Sequence, residues 1–197
     1  MRITGGSKRG QRLVPWEEEG IRPMRDFVRT ALFNILADLV PGSRFLDLFC
    51  GTGSVGLEAL SRGAADCVFV DKSAEACAIT RRNLDVLGFL KEGKVIQADY
   101  AEGIEYLQRR GRRFDLIFVG PPYGEGLADA ALRLLSEGCL FHDETVIVSE
   151  VYKKEALSPV YGTFHSVDRR LYGDNELHFY RPSEASGASE TSLDKRT

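Results

Sequence analysis

The first candidate site is the run GTGSVG at residues 51–56, which has the G-x-G-x-x-G spacing of a loop that cradles a nucleotide. Glycines suit such a turn because the backbone must adopt unusual angles and let a ligand come close. A helix that starts here adds free N–H groups that point at the ligand. Asp71 lies twenty residues after Gly51, where the fingerprint places an acceptor for ribose hydroxyls. The pattern predicts a nucleoside site without identifying the nucleoside.

Asp47 narrows the choice of ligand because it puts a carboxylate inside the apolar segment at residues 45–49, just before the glycine turn. A dinucleotide site would usually be apolar there, whereas a cationic ligand favours an acidic side chain. S-adenosylmethionine (AdoMet) joins an adenosine to a sulfonium and an ammonium group, so it suits Asp47 and Asp71 better than NAD does. A NAD-dependent oxidoreductase is the less favoured alternative, and equilibrium binding of AdoMet against NAD would separate the two.

Polar or conformationally special residues follow four separate predicted strands. They are Asp47 with Gly51, Asp71, Asp99, and the run GPPY at residues 120–123. Taken singly, Asp71 and Asp99 could be helix caps or turn residues. Ligands of a doubly wound sheet bind beyond the carboxyl ends of its strands, so we expect these four groups to meet in one site.

The elements that must position these residues alternate along the chain. Strands are predicted at residues 45–49, 67–71, 94–98, 114–119 and 145–151, and helices at residues 54–62, 74–87, 101–109 and 127–137. This alternation predicts an α/β fold with a doubly wound parallel sheet. Before it, we expect a hairpin at residues 1–14, an acidic loop at 16–20 and a helix capped by Asp26. After it, residues 160–180 are expected to add two strands.

Composition excludes several classes of protein. The 197 residues suffice for one domain with a full core, and the longest apolar runs fall short of a membrane span. The first residues lack the apolar region of a signal peptide. The four cysteines have no C-x-x-C spacing, so we expect them to be reduced and mostly buried. The prediction is a cytoplasmic monomer without metal, disulfide or membrane association.

Basic residues cluster at two places although the net charge is −3. Arg2, Lys8, Arg9 and Arg12 fall in the first twelve residues, with no acidic residue among them. Such a cluster can bind phosphates, and we interpret this one as an RNA contact. The second cluster, at residues 109–113, is equally consistent with a phosphate site and with a solvated surface.

The motifs resemble those of one family. LDLFCGTGSVG at residues 46–56 resembles motif I of AdoMet-dependent methyltransferases. FDLIFVGPPY at residues 114–123 resembles the [D/N]-P-P-[Y/F] motif of methyltransferases that act on amino groups of nucleic acids. MRITGG at residues 1–6, RP at 22–23, VRTALFNIL at 28–36 and YGD at 172–174 closely resemble the RsmD family. Its members methylate N2 of one guanine in 16S ribosomal RNA, and the resemblance runs to about residue 181.

The resemblance implies a Rossmann-like class I methyltransferase fold that binds AdoMet and 16S rRNA or the small ribosomal subunit. The implied cofactor-binding residues are Asp47, Phe49, Gly51, Gly53, Asp71, Lys72, Asp99, Tyr100 and Asn34. Within this set, Asp47 and the glycines would line the methionine end, Asp71 would hold the ribose, and Asp99 would lie by the adenine amine.

The same resemblance implies the residues that meet the RNA. The catalytic residues would be Gly120, Pro121, Pro122 and Tyr123, with Tyr123 stacking on a guanine drawn out of its helix. The RNA-binding residues would be Arg2, Lys8, Arg9, Arg12, Arg22 and Arg25. The implied domains are an RNA-contacting arm at residues 1–24, the methyltransferase domain at 25–181 and a disordered tail at 182–197.

Gly120 departs from the family pattern, which has Asp at this position. An exocyclic guanine amine is a poor nucleophile because its lone pair is delocalised into the ring. In the family, a carboxylate and the backbone carbonyl of the following proline would orient that amine. Two functions therefore stay open: an active guanine-N2 methyltransferase, and a catalytically weak homologue that binds AdoMet and RNA. Glu125 or Asp129 could replace the missing carboxylate.

Overall fold

The computed structural model describes residues 1–15 and 24–183, which form one mixed α/β unit. The strands are β1 (Arg44–Leu48), β2 (Asp66–Asp71), β3 (Gly93–Gln97), β4 (Leu116–Val119), β5 (Val146–Tyr152), β6 (Val160–Tyr161), β7 (Phe164–Tyr172) and β8 (Asn175–Pro182). The helices are α1 (Asp26–Ile35), α2 (Ser54–Ser61), α3 (Ala74–Leu87), α4 (Tyr100–Arg109) and α5 (Leu127–Ser136), and Gly6–Lys8 forms a 3-10 helix. The acidic loop at 16–20, Arg22 and the tail beyond residue 183 lie outside the described residues.

The sheet has the strand order β3-β2-β1-β4-β5-β8-β7-β6. The first five strands are parallel, and β8, β7 and β6 add to the β5 edge in antiparallel fashion. The order reverses between β1 and β4, which is the switch point where such sheets bind ligands. The predicted doubly wound, Rossmann-like fold is confirmed.

The helices cover both faces of the sheet because successive residues of the central strands point to opposite sides. Phe45 of β1 packs with α1, α2 and α3 on one face, whereas its neighbour Leu46 packs with α4 and α5 on the other. At Gly56 a Cβ atom would lie 2.3 Å from the ring of Phe69, so only glycine lets α2 pack this closely on β2. This is the packing role of the third glycine in the fingerprint.

Two local predictions, for Asp26 and for residues 160–180, differ from the structure. Asp26 does not cap α1: it is the first helical residue, and its carboxylate accepts a hydrogen bond from Arg29 at 3.0 Å. Residues 1–14 fold back on themselves as a short antiparallel pair, with a bridge between Arg2 and Arg12, a hydrogen bond from the N–H of Ile3 to the carbonyl of Gln11 at 2.9 Å, and the 3-10 helix at the turn. Residues 160–180 contribute to three strands rather than two, since a tight turn adds the two-residue β6 to the edge.

A buried ion pair ties the N-terminal loop to the helices. Arg29 of α1 and Glu58 of α2 are fully buried, with Nε and Oε2 3.4 Å apart. Glu58 also accepts hydrogen bonds from the backbone N–H and the hydroxyl of Thr4, both at 2.8 Å, and from Arg62 at 2.8 Å. Arg29 in turn donates to the carbonyl of Arg2 at 2.5 Å. The loop at residues 1–14 is therefore anchored to α1 and α2 by charge-assisted hydrogen bonds.

We expect Glu58→Gln to lower the free energy of unfolding by about 3 kcal/mol, because it removes the fully buried carboxylate beside Arg29 and leaves that guanidinium paired with the partly exposed Asp26. Urea unfolding would measure the change. Glu105→Gln is the matched control: it removes an exposed ion pair with Arg109 at 3.6 Å, which should contribute less than about 1 kcal/mol. Equal losses in the two variants would contradict the anchoring role of Glu58.

Candidate active site

A cavity of about 760 Å³ opens at the carboxyl ends of the parallel strands. It is lined by residues at or just beyond the carboxyl ends of the five strands, including Phe49, Cys50, Gly51, Thr52, Asp71, Lys72, Ala98, Asp99, Tyr100, Gly120, Pro121, Pro122, Tyr123, Glu150 and Tyr152. The volume falls within the range of small-molecule sites, so an AdoMet-sized ligand fits. The four groups that were expected from the sequence to meet do line one cavity.

The turn between β1 and α2 has an unusual backbone. Phe49, Gly51 and Gly53 have positive φ angles of 72°, 53° and 76°. Phe49 is the one non-glycine residue with positive φ in the described part of the chain, and such strain occurs at ligand sites where the surroundings hold it. Its ring packs against Tyr100 with centroids 5.3 Å apart, and its N–H donates to the carbonyl of Val70 at 2.9 Å.

Two side chains of α3 hold the carbonyls of the same turn. The hydroxyl of Thr80 donates to the carbonyl of Gly51 at 2.8 Å, and the amide of Asn83 donates to the carbonyl of Thr52 at 3.0 Å. Asn83 also accepts a hydrogen bond from the N–H of Val14 at 2.7 Å. Asn83 therefore connects the N-terminal loop directly to the turn. Sequence reasoning missed this role because the two contacts lie 31 and 69 residues away.

Asp71 is held where the fingerprint places a ribose acceptor. Its Oδ2 accepts a hydrogen bond from the N–H of Gly51 at 2.8 Å, and its Oδ1 accepts one from the N–H of Ser73 at 2.9 Å. Each carboxylate oxygen has a second lone pair that can accept a ribose hydroxyl. Asp99 also has a structural role, because its Oδ1 caps α4 through the N–H of Ala101 at 3.0 Å.

Asp47 is buried beneath the turn, with 1% of its surface exposed. Burial raises the pKa of this carboxyl to about 7, against the opposing effect of a hydrogen bond from the N–H of Gly56 at 2.8 Å. Asp71 raises the pKa further because two nearby negative charges repel each other. A cation in the cavity would favour the ionised form of Asp47, so the residue suits the sulfonium and ammonium groups of AdoMet.

Tyr123 is bound by two residues that sequence reasoning missed. Its hydroxyl donates to Oε1 of Glu150 at 3.2 Å, and the amide of Asn175 donates to the Tyr123 oxygen at 2.8 Å. The ring centroids of Tyr123 and Tyr152 lie 6.2 Å apart, and Tyr123 as a residue is 36% exposed, so it is accessible for stacking. Glu150 could have been found by the signal that identified Asp47, a charged residue inside an apolar strand.

Two of the expected cofactor residues do not line the cavity. Asn34 is exposed on α1, and Gly53 packs beneath the turn, where a Cβ atom would lie 2.8 Å from Thr80. Their direct contact with a cofactor is therefore not favoured by the geometry. Gly53 still has a local role as the N-cap of α2.

The expected RNA-binding residues lie on two surfaces. Arg2, Arg9 and Arg12 are exposed on the N-terminal loop, where Lys8 packs over the ring of Phe89. Arg25 is exposed and lines the cavity itself. The second basic cluster lies between α4 and β4, before the amino end of a central strand, and its Arg112 pairs with Asp66 at the start of β2. We therefore interpret residues 109–113 as structural.

The cysteines form no disulfide bonds among the described residues. Cys50, Cys67 and Cys77 are buried and Cys139 is exposed, all as free thiols. Among the described residues, no group of three or more His, Cys, Asp or Glu side chains could hold a metal ion. Over the same ranges, none of the helices combines the length and apolar character needed to cross a membrane.

Comparison with known proteins finds close relatives over nearly the whole chain. Residues 1–181 match the family model described as Conserved hypothetical protein 95. The chain is 31% identical to Ribosomal RNA small subunit methyltransferase D of Escherichia coli, over 96% of this chain and 93% of the relative. It is 34% identical to the protein of the same name from Haemophilus influenzae, over 80% of this chain and 81% of the relative.

A solved structure supports the same relationship. A hypothetical protein of Thermus thermophilus superposes with a TM-score of 0.79 at 32% sequence identity. The match covers 91% of this chain and 98% of that one, so the two chains share the fold over nearly their whole length.

We expect the affinity for AdoMet to rise with pH up to about 7 and then to level off, because the carboxyl of Asp47 must lose its proton to face a cation. Asp47→Asn should remove this dependence. The measurement is calorimetric binding of AdoMet to both proteins from about pH 5.5 to about pH 8. Titration of the ligand's own amine cancels in the ratio of the two affinities. A ratio that does not vary with pH would contradict the prediction.

Proposed function

We propose the function of this chain on one premise: it belongs to the Conserved hypothetical protein 95 family. The reaction is the transfer of a methyl group from AdoMet to the exocyclic N2 of a guanine in 16S ribosomal RNA, in the cytoplasm. The relatives named Ribosomal RNA small subunit methyltransferase D support an rRNA substrate. Guanine N2 as the acceptor rests on the resemblance of GPPY and of the N-terminal motifs to the RsmD family.

One observation carries the proposal: the nucleoside-binding turn and the GPPY run line the same cavity. A cofactor bound at Asp71 and a base stacked on Tyr123 would therefore share one enclosed space. Holding two reactants in this way replaces a bimolecular encounter with an effectively unimolecular step. The exposed arginines of the N-terminal loop lie outside that space, where they can contact the RNA backbone.

Different residues of the cavity would bind AdoMet and the guanine. Asp71 would accept the ribose hydroxyls of AdoMet, and Asp47 would attract its charged end. AdoMet supplies an electrophilic methyl carbon. Tyr123 would stack on the extruded guanine, which a base-modifying enzyme must remove from its helix to reach. The backbone carbonyl of Pro121 would accept one hydrogen bond from the N2 amine and aim its lone pair into the cavity.

The second candidate is a binding protein with weak catalysis, and Gly120 is the observation that favours it. Gly120 offers only backbone atoms where the family has a carboxylate. Such a protein would bind AdoMet and RNA with the same residues and transfer few methyl groups.

Methyl transfer to ribosomal RNA separates the two candidates. We expect the protein to transfer labelled methyl groups from AdoMet to small ribosomal subunits or to naked 16S rRNA prepared without its native methylation. Nuclease digestion and chromatography should then identify N2-methylguanosine. Binding of AdoMet and RNA without a labelled product would favour the binding protein, and label on another base or position would refute guanine N2.

We expect replacement of Arg2, Lys8, Arg9 and Arg12 by alanine to weaken RNA binding and to flatten its salt dependence. The slope of log affinity against log salt should fall by about 0.7–0.9 for each phosphate that is no longer bound. Filter binding over a series of salt concentrations would measure it. The control replaces Arg109, Arg110, Arg112 and Arg113, which lie between α4 and the amino end of β4. An equal change of slope in the two variants would contradict the assignment of the RNA surface.

A further inference from the structure

We propose that Glu150 provides the carboxylate that Gly120 lacks, and that it accepts the proton released from the guanine amine. This inference rests on the proposed function, because it assigns a role in the same reaction. It goes beyond the resemblance, which places the carboxylate at position 120. Glu150 takes the place of Glu125 and Asp129, which the sequence suggested as replacements for the missing carboxylate.

Strand register places Glu150 beside Gly120. Strands β4 and β5 are parallel, and Val119 pairs with Ser149 at the last rung of their ladder. Gly120 and Glu150 are the next residues after this rung, and both line the cavity. A carboxylate on β5 can therefore reach the space that a side chain at position 120 would occupy.

The hydrogen bonds of Glu150 leave one oxygen available. Tyr123 and Asn175 both donate to Oε1. Among the described residues, Oε2 accepts no hydrogen bond, and no lysine or arginine forms a salt bridge with this carboxylate. Tyr123 is also the residue expected to stack on the guanine, so its bond to Glu150 links the base platform to the proton acceptor.

The surroundings of Glu150 are unusual for a glutamate. The side chain is buried, with 5% of its surface exposed, and a buried carboxylate without a cation costs free energy. Burial raises its pKa above the ordinary glutamate value, and the hydrogen bonds from Asn175 and Tyr123 oppose that rise. A carboxylate of raised pKa is a better proton acceptor, and perturbed groups in a cavity are candidates for function.

The other two candidates are placed less well. Asp129 does not line the cavity, because its oxygens bind Tyr161 at 2.7 Å and Arg133 at 2.9 Å. Glu125 lines the cavity but is exposed on the loop before α5, where water solvates its charge. Glu150 is therefore the carboxylate best placed beside the GPPY backbone.

The proposed step balances in atoms and charge. The amine nitrogen forms a bond to the methyl carbon while the carbon–sulfur bond breaks and its electron pair stays on sulfur. The nitrogen then carries one proton too many, and that proton passes to Oε2 of Glu150. Glu150 becomes neutral and releases the proton to water when the methylated base leaves.

Ionisation of Glu150 should appear in the pH dependence of turnover. The carboxylate accepts a proton only when ionised, so kcat should rise with pH through its raised pKa. The groups that face it are Tyr123 from the loop after β4 and Asn175 from β8. The other charged side chains of the cavity are Arg25, Asp47, Asp71, Lys72, Asp99, Glu125 and Asp174.

The main test is Glu150→Gln, which keeps an acceptor for Tyr123 and Asn175 but cannot take the proton. We expect kcat to fall about 10²–10³-fold, the size found when one positioned polar group is removed from an active site. The acidic limb of the kcat profile should disappear, while the dissociation constants for AdoMet and RNA should change less than about twofold. An unchanged kcat with the same acidic limb would overturn the proposal.

A comparison with Tyr123→Phe separates catalysis from positioning. This variant keeps the stacking ring and the Glu150 carboxylate but removes the hydrogen bond between them. If Glu150 acted only by holding Tyr123, the two variants would lose the same activity and both would keep the acidic limb. We expect Tyr123→Phe to lose much less than Glu150→Gln.

Rescue gives an independent test. In the Glu150→Gln background, Gly120→Asp should restore kcat at least about tenfold more than Gly120→Asn, its uncharged match. Both changes place a Cβ atom 2.5 Å from the ring of Phe118, so the steric cost is shared. Equal rates for the two would count against a carboxylate requirement.

The proton affinity of Glu150 can also be measured without turnover. Carbon-13 NMR of protein labelled at glutamate carboxyls should show one resonance that titrates above the ordinary glutamate range and is absent from Glu150→Gln. Its absence from the wild type would overturn the raised proton affinity of Glu150. If the wild type transfers no methyl group, the proposed function fails; if it is active and Glu150→Gln is equally active, only the role of Glu150 fails.

Discussion

The chain must turn from β1 into α2 within five residues and leave its N–H groups free for a ligand. Positive φ angles at Phe49, Gly51 and Gly53 make that turn possible. Hydrogen bonds from neighbouring elements keep it in place, including those from Gly51 to Asp71 and from Thr80 to Gly51. The position of the cavity depends on this constraint, since residues of the turn form one wall of the cavity and residues at the other strand ends form the rest.

The same turn is connected to the N-terminal loop, for which we propose RNA binding. Asn83 joins the carbonyl of Thr52 in the turn to the N–H of Val14 in the N-terminal loop. The Arg29–Glu58 pair anchors that loop a second time, at Thr4. The N-terminal loop is thus held in one orientation relative to the cavity. A fixed orientation is what the proposed RNA contact requires if the loop is to guide one base into the cavity.

Two carboxyl groups of the cavity are buried, and burial raises the pKa of both. Asp47 and Glu150 lie on β1 and β5, each buried and each without a basic partner among the described residues. In both cases burial raises the pKa, so each carboxyl holds its proton to a higher pH than an exposed one would. We assign them different tasks because of what lies beside them: the nucleoside turn beside Asp47, and the GPPY backbone with Tyr123 beside Glu150.

The sequence by itself determined the α/β fold, the nucleoside-binding turn and the family, because these depend on local spacing: glycines in a turn, apolar periodicity, and short motifs. It located Asp47, Asp71, Asp99 and Tyr123, which directly follow or interrupt predicted strands. Only the tertiary structure decided which carboxylate lies beside Gly120. Glu150 is thirty residues away in the chain and meets Gly120 through the register of two parallel strands. That register is set by packing and hydrogen bonding across the whole sheet, which no local pattern in the sequence specifies.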